Sequence, residues 1–280
     1  YGEVNEFYFL YGFDRKEFRD NSRYVPYRVF RKRRDLLNVS SRFNYLGILR
    51  NKTLFGIFAE ALHFRTARTL GLYRKGSVYD ARGEKQPLEQ LLQEHPKTFF
   101  KPVDAECGVA VFALDTTDGA WMIDNRAASE EELRRRLETE TGWKREFIIQ
   151  DRVIQHPYIS RIHAKSINTI RLVTVMDPSE GEPAVFAGVL RVGVGDMTVD
   201  NWAQGGILIP IDLESGVLQC FGFYKPGVGT RTDRHPDSGF IFGGCVIPFF
   251  GRIVDQALRF HAFLPVSYTH LRAHETRRHL

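Results

Sequence analysis

The chain has 280 residues, 43% of them hydrophobic and 26% charged, with a formal net charge of +5. That length suits one large or two modest domains, and the composition is that of an ordinary soluble globular protein. No run of about 18 apolar residues is present, which excludes a membrane-spanning helix at the level of sequence. The mild basic excess suits an anionic ligand without indicating nucleic acid.

The opening Y-G-E-V-N-E-F has neither a basic n-region nor an apolar h-region, so no secretory signal is expected. It also lacks an initiator Met, which reads as a piece of a longer protein. The three cysteines, Cys107, Cys220 and Cys245, are far apart and form no C-x-x-C. An odd count in that pattern argues against a disulfide framework and a structural zinc site, and for a reducing, cytoplasmic setting.

Residues 1–50 read as a helical, aromatic-rich N-terminal segment. Phe7, Tyr8, Leu10 and Tyr11 have helical spacing, and F-D-R-K-E-F-R-D-N at 13–21 is a charged helix with apolar anchors. The basic run Arg28–Arg34 is either a solvated helix face or a nucleic-acid patch; no aromatic platform interleaves it, as base stacking requires.

Asn51 is placed to cap a helix over N-K-T-L-F-G-I-F-A-E-A-L. A short extended piece follows within 66–80. P-L-E-Q-L-L-Q-E-H at 87–95 is a short amphipathic helix ended by Pro96. T-F-F-K-P-V at 98–103 and V-A-V-F-A-L at 109–114 are strands around the turn D-A-E-C-G. D-T-T-D-G at 115–119 turns the chain into A-W-M-I-D. S-E-E-E at 129–132 is a capping box for a helix that buries Leu133 and Leu137.

F-I-I-Q-D-R-V-I-Q-H-P at 147–157 reads as a strand broken at Pro157. N-T-I-R-L-V-T-V-M, A-V-F-A-G-V-L-R-V, G-G-I-L-I-P-I-D and V-L-Q-C-F-G-F-Y (217–224) read as four more strands. I-V-D-Q-A-L-R-F-H at 253–261 is a closing helix. Strands with a few interspersed helices and hairpin-length turns predict an α+β fold, not a doubly wound parallel sheet.

Three basic residues stand where charge is costly. Lys101 lies within an apolar strand beside a turn of small residues. It either meets an anion, over which the turn closes with backbone N–H groups, or is an exposed strand lysine. Arg171 and Arg191 lie at strand positions amid apolar neighbours. They either fork onto phosphate or carboxylate oxygens, or are buried and paired with an acid.

Asn201, in the stretch R-V-G-V-G-D-M-T-V-D-N-W-A-Q-G-G (191–206), either positions a phosphate or acceptor, or caps its loop. Asn168 is open to the reading of a strand-entry turn residue. Asp104 and Glu106 are either a carboxylate pair or electrostatic partners of Lys101. Cys107 reads better as a small loop residue than as a nucleophile. Neither G-V-G, at 193–195 or 227–229, is followed by a convincing helix, which rejects a dinucleotide fingerprint.

Taken in order, these pieces resemble the ATP-grasp superfamily, and within it the sugar-transfer-associated ATP-grasp family, relatives of α-L-glutamate ligases. The resemblance runs from about Phe7 to Pro265. It is carried by N-K-x-x-F at 51–55, F-F-K-P-V-D-A-E-C-G-V-A-V-F at 99–112 and I-I-Q-D-R-V-I-Q-H-P at 148–157. S-I-N-T-I-R-L-V-T at 166–174, L-R-V-G to D-N-W-A-Q-G-G-I at 190–207 and H-P-D-S-G at 235–239 complete it.

The resemblance implies an ATP-grasp fold, with ATP between subdomains expected at 51–147 and 148–265. Lys52 matches the first phosphate-side lysine and Lys101 the strand lysine on the α/β-phosphates. Glu106, Cys107, Gly108 and Val109 match the flexible loop over the triphosphate. Ile149, Gln150, Asp151 and Val153 match the hinge whose backbone meets the adenine edge, with Gln155 or His156 toward the ribose. Arg171, Arg191 and Asn201 match the pocket around the γ-phosphate and acceptor.

The implied activity is ATP-dependent carboxylate–amine ligation through an acylphosphate, in cell-surface glycan or peptide modification, with Mg2+ as cofactor. The rival reading is a non-catalytic nucleotide-binding or scaffolding domain, and nucleic acid is not an expected partner. Such proteins carry magnesium ligands in a C-terminal strand pair, commonly an Asp followed by Glu-x-Asn. No E-x-N occurs after Gly206, so those ligands are expected beyond this chain, which by itself is expected to be inactive. The loop around Ala105–Glu106–Cys107 is also less rich in glycine and serine than is usual. Residues 266–280 contain S-Y-T-H-L-R-A-H-E-T, which resembles translated sequencing-adapter DNA. They are read as a non-native tail, and His270, His274 and His279 as no metal site.

Overall fold

The computed structural model describes residues 32, 46–103, 110–141, 146–176, 181–225, 227–264 and 268–273. The expected N-terminal helices before Leu46 and the basic run, Lys32 apart, lie outside the described residues. The chain forms two compact units, one built on Gly47–Ile154 and the other on Gln155–Glu275. Both mix helix and sheet, as an α+β fold requires.

The first unit opens with α1 (Leu46–Arg50) and α2 (Lys52–Ala61). Asn51 ends one helix and starts the next: its Oδ1 accepts from the Thr53 and Leu54 amides, both at 3.0 Å. These are two of the donors that a helix start leaves unsatisfied. Strands β1 (Thr69–Arg74), β2 (Ser77–Tyr79) and β3 (Lys85–Gln86) precede α3 (Leu88–Glu94). Then come β4 (Lys97–Pro102), β5 (Phe112–Asp115), β6 (Met122–Ile123) and β7 (Arg126–Ala127). Helix α4 (Glu130–Thr141) and β8 (Phe147–Asp151) complete the unit.

The strands form an eight-stranded sheet in the order β3-β2-β1-β8-β4-β5-β6-β7. The 147–151 strand, expected in the second subdomain, is thus a central strand of this first sheet. It ends at Asp151, short of Pro157, because its neighbours run out: β1 and β4 begin at Thr69 and Lys97. The Asp151 and Arg152 amides make the last bonds, to Arg68 O and Lys97 O.

Alternation along β4 sends Phe100 into the core and Phe99 and Lys101 to the opposite face. The Phe100 and Phe112 rings stack at 4.8 Å, with Phe147 tilted against Phe112 at 6.0 Å. Helix α4 covers this core with Leu133 and Leu137, both fully buried. Each such leucine contributes roughly 2 kcal/mol of burial. Ser129 Oγ accepts from the Glu132 amide at 3.2 Å, as the S-E-E-E pattern predicts.

The second unit begins with α5 (Pro157–Ser160), which uses Pro157 in its first turn, where a missing N–H is harmless. Strands β9 (Thr169–Met176), β10 (Pro183–Val192), β11 (Ile207–Pro210), β12 (Gly222–Phe223) and β13 (Arg231–Thr232) follow. Helix α6 (Phe250–Ala262) and β14 (Tyr268–Ala273) close the described chain. The sheet order is β13-β12-β11-β10-β9-β14, all neighbours antiparallel.

Its core is Ile170, Leu172, Leu190, Val192, Ile207 and Ile209 packed with Phe250, Ile253 and Ala257 of α6. The expected strand over 217–224 is broken. Val217 and Leu218 make isolated bridges to Val246 and Ile211, and only Gly222–Phe223 pair in the sheet. Two different partners pull the segment apart, which its alternating apolar pattern does not reveal. No helix among the described residues is long and apolar enough to cross a membrane.

Candidate functional site

In the first unit, Lys101 stands on the sheet face away from the core. Register sets Lys101 opposite Ile148 and Phe99 opposite Gln150, while Phe100 and Ile149 pair on the core side. Lys101 Nζ lies over the Phe99 ring, 5.1 Å from its centroid, close enough for a cation–π attraction. Lys52, just after the Asn51 cap, donates to Val103 O from its backbone at 3.1 Å and from Nζ at 3.4 Å. Both lysines are thereby placed at the end of β4. The next segment, with Asp104, Glu106, Cys107, Gly108 and Val109, lies outside the described residues.

The expected hinge is partly structural. Ile149 has its side chain in the core and its backbone paired with both Gly71 and Phe100. Gln150 is buried and donates from Nε2 to Ala67 O at 3.2 Å. Asp151 places Oδ1 3.5 Å from His95 Nδ1. Val153 lies beyond the last sheet bond, half-buried, followed by exposed Ile154.

Gln155 opens the second unit, buried, with Oε1 accepting from the Asn168 amide at 2.5 Å. Its Nε2 is a buried donor that no protein acceptor meets among the described residues. His156 instead caps α5, its Nδ1 accepting from the Tyr158 amide at 3.2 Å, with its ring edge-on to Phe249. Of the two residues expected toward a ribose, Gln155 holds a buried donor without a protein acceptor among the described residues.

Arg171, Arg191 and Thr169 share the face of the second sheet opposite its core. Thr169 lies directly across from Arg191, and Arg171 across from Val189, two residues earlier on β10. Arg191 is only 7% exposed. Its Nε and Nη2 donate to the Asp200 carbonyl at 3.0 and 2.7 Å, and Nη2 lies 3.4 Å from Asp200 Oδ1. Asp200 Oδ2 accepts from the Thr169 amide at 3.1 Å and from the Thr169 hydroxyl.

Asn201 Oδ1 accepts from the Ala203 amide at 3.1 Å and caps a short turn of helix over Trp202–Gln204. The chain then doubles back so closely that a Cβ on Gly206 would sit 2.8 Å from Val192 O. Of the alternatives read from the sequence, an acidic partner for Arg191 and a loop cap at Asn201 are both present.

Behind Arg191 lies a buried polar network whose members sequence reasoning did not assemble. His163 Nδ1 accepts from the Ser166 amide at 3.3 Å, so its Nε2 carries the proton and donates to Gly195 O at 3.0 Å. His235 has the same pattern: Nδ1 accepts from the Asp237 amide, and Nε2 donates to Gly193 O at 2.8 Å. Ser166 Oγ accepts from the Gly193 amide and Asp237 Oδ2 from the Gly195 amide.

Asn168 ties this network to Gln155 and to the carbonyls of Ile159 and His163. The two imidazoles lie 5.1 Å apart. Burial first, and His163 beside it, push the His235 pKa down, outweighing the Gly193 carbonyl and Asp237. The one sequence signal was H-P-D-S-G, which names His235 and Asp237 but not their partners.

The model of the sugar-transfer associated ATP-grasp family matches residues 32–271. The chain belongs to that family. Comparison with curated proteins gives no match. ATP-grasp membership implies ATP binding and, typically, Mg2+. Among the described residues no group of three or more His, Cys, Asp or Glu side chains is gathered to hold a metal ion.

Proposed function

We propose that this ATP-grasp chain binds ATP as part of a carboxylate–amine ligase serving cell-surface glycan or peptide modification. The observation that carries the reading is the placement of its strand cations. In each unit they stand on the sheet face that the unit's own hydrophobic core leaves uncovered: Lys101 in the first, Arg171 and Arg191 in the second.

In this reading Lys101 and Lys52 neutralise the α- and β-phosphates, and Arg171, Arg191 and Asn201 face the γ-phosphate and acceptor. Val153 of the expected hinge meets the base, and the Gln155 amide donates to the ribose. A substrate carboxylate oxygen attacks the γ-phosphorus and ADP leaves, forming an acylphosphate. An amine then attacks the acyl carbon, phosphate leaves, and the amine loses a proton as the amide forms. The protein's contribution is positioning and charge neutralisation rather than a covalent intermediate.

Titration of a non-hydrolysable ATP analogue into wild type and Lys101→Ala tests the assignment. A loss of affinity of about tenfold or more is expected for the variant, the size of one charge-assisted contact. Equal affinities overturn it.

A further inference from the structure

We propose that Asp200 is a positioning residue that sets the Arg191 guanidinium for a terminal phosphate; this rests on the nucleotide reading above. The argument lies in how Asp200 divides its contacts. A buried Arg–Asp pair ordinarily meets as two parallel N–H···O bonds to the carboxylate, which neutralises the cation. Here two short bonds from Arg191 go to the backbone carbonyl of Asp200, at 3.0 and 2.7 Å. The carboxylate is turned the other way, with Oδ2 taking the amide and hydroxyl of Thr169 and only Oδ1 near Nη2, at 3.4 Å.

Orientation therefore comes from a neutral acceptor. Two N–H groups on one carbonyl hold the plane of the guanidinium. One oxygen of the carboxylate that would compete with an incoming anion is engaged by two donors on the neighbouring strand. Asp200 is itself anchored from two directions: its carboxylate by Thr169, and the backbone before it by the bridge between Val199 and Ile167. Asp200 is 7% exposed, so these bonds are shielded from water. Low local dielectric makes their geometry hard to replace.

The test compares ADP with the β,γ-imido analogue of ATP, which differs by the terminal phosphate that Arg191 is assigned to face. Asp200→Ala is expected to weaken the analogue by about tenfold relative to ADP, the loss of one oriented charge-assisted contact. Asp200→Asn keeps an acceptor for Thr169 and is expected to restore most of the discrimination. Thr169→Val, which removes only the hydroxyl, is expected to shift the ratio in the same direction by less, and serves if Asp200→Ala does not fold.

A general loss of structure would weaken ADP and the analogue together, and that outcome overturns the proposal. Tighter analogue binding in both Asp200 variants also overturns it, since that marks Asp200 as a competing charge. Lys101→Ala separates the two ideas. If it weakens both nucleotides while the Asp200 variants leave their ratio unchanged, the nucleotide reading stands and the positioning role fails.

Discussion

Thr169 and Arg191 lie directly across from each other on adjacent strands, and a single loop residue, Asp200, holds both. The loop after β10 is thereby pinned to the sheet at the point where its cation emerges. Removing either side strands the other: without Arg191, the Asp200 carbonyl loses both donors in a site closed to water. Arg191→Met should cost about 3 kcal/mol of stability, as for other buried pairs broken from one side. Urea unfolding measures it, and a change within about 0.5 kcal/mol, the size of a surface substitution, would count against this anchoring.

Stability should fall on mild acidification through His235. Its pKa is lowered in the folded chain by burial, with His163 adding to the effect. The unfolded histidine, near 6.5, therefore takes up a proton before the folded one does. The contribution is fully present above the unfolded value and is lost as pH falls from there toward the depressed folded value. The facing groups are His163 and Asp237. His235→Gln should flatten the slope of stability against pH below about 6.5; an unchanged slope would point to other titrating groups.

Gly193→Ala should destabilise through one identified contact, because a Cβ there would lie 2.5 Å from Ser166 Oγ. Overpacking of this kind costs about 1–3 kcal/mol. Ser166→Gly removes the obstructing side chain, so a double-mutant cycle should show strong non-additivity, whereas additive losses would refute the clash.

Leu137→Ala should cost about 3 kcal/mol by leaving a cavity under α4. The residue is fully buried in the first unit's core. Guanidinium unfolding followed by circular dichroism reads the loss.

Asn51→Ala should cost about 1 kcal/mol, the usual size of a lost N-cap. Both amides now bonded to Oδ1 would be left to water. A melting temperature indistinguishable from wild type would show that the backbone bonds of Lys52 and Phe55 suffice.

The features legible in the sequence are those set within a few residues. Asn51 and Ser129 announce helix starts because a cap and its donors are sequence neighbours. Lys101 and Phe100 part to opposite faces because a strand alternates. What was not legible depends on pairing between distant segments. The 147–151 strand stops where its neighbours begin, and nothing in its own sequence states that limit.

Within the candidate site, the Arg191–Asp200 pairing was one of two open readings, because a strand arginine followed by a polar loop fits a ligand and an acid equally well. His163 and His235 were invisible as a pair. Separated by more than seventy positions (163 against 235), their rings come 5.1 Å apart beside the loop that both bind.

That loop inverts the usual meaning of its composition. Glycines beside a ligand-facing strand are commonly read as joints. At Gly193 and Gly195 both amides and both carbonyls are already engaged, by Ser166, Asp237, His235 and His163. The absent side chain at Gly193 makes room for the Ser166 hydroxyl rather than for movement. The segment behaves as a bracket bolted at four points, and slow amide exchange at both glycines, despite their lying outside any strand, is the signature it should leave.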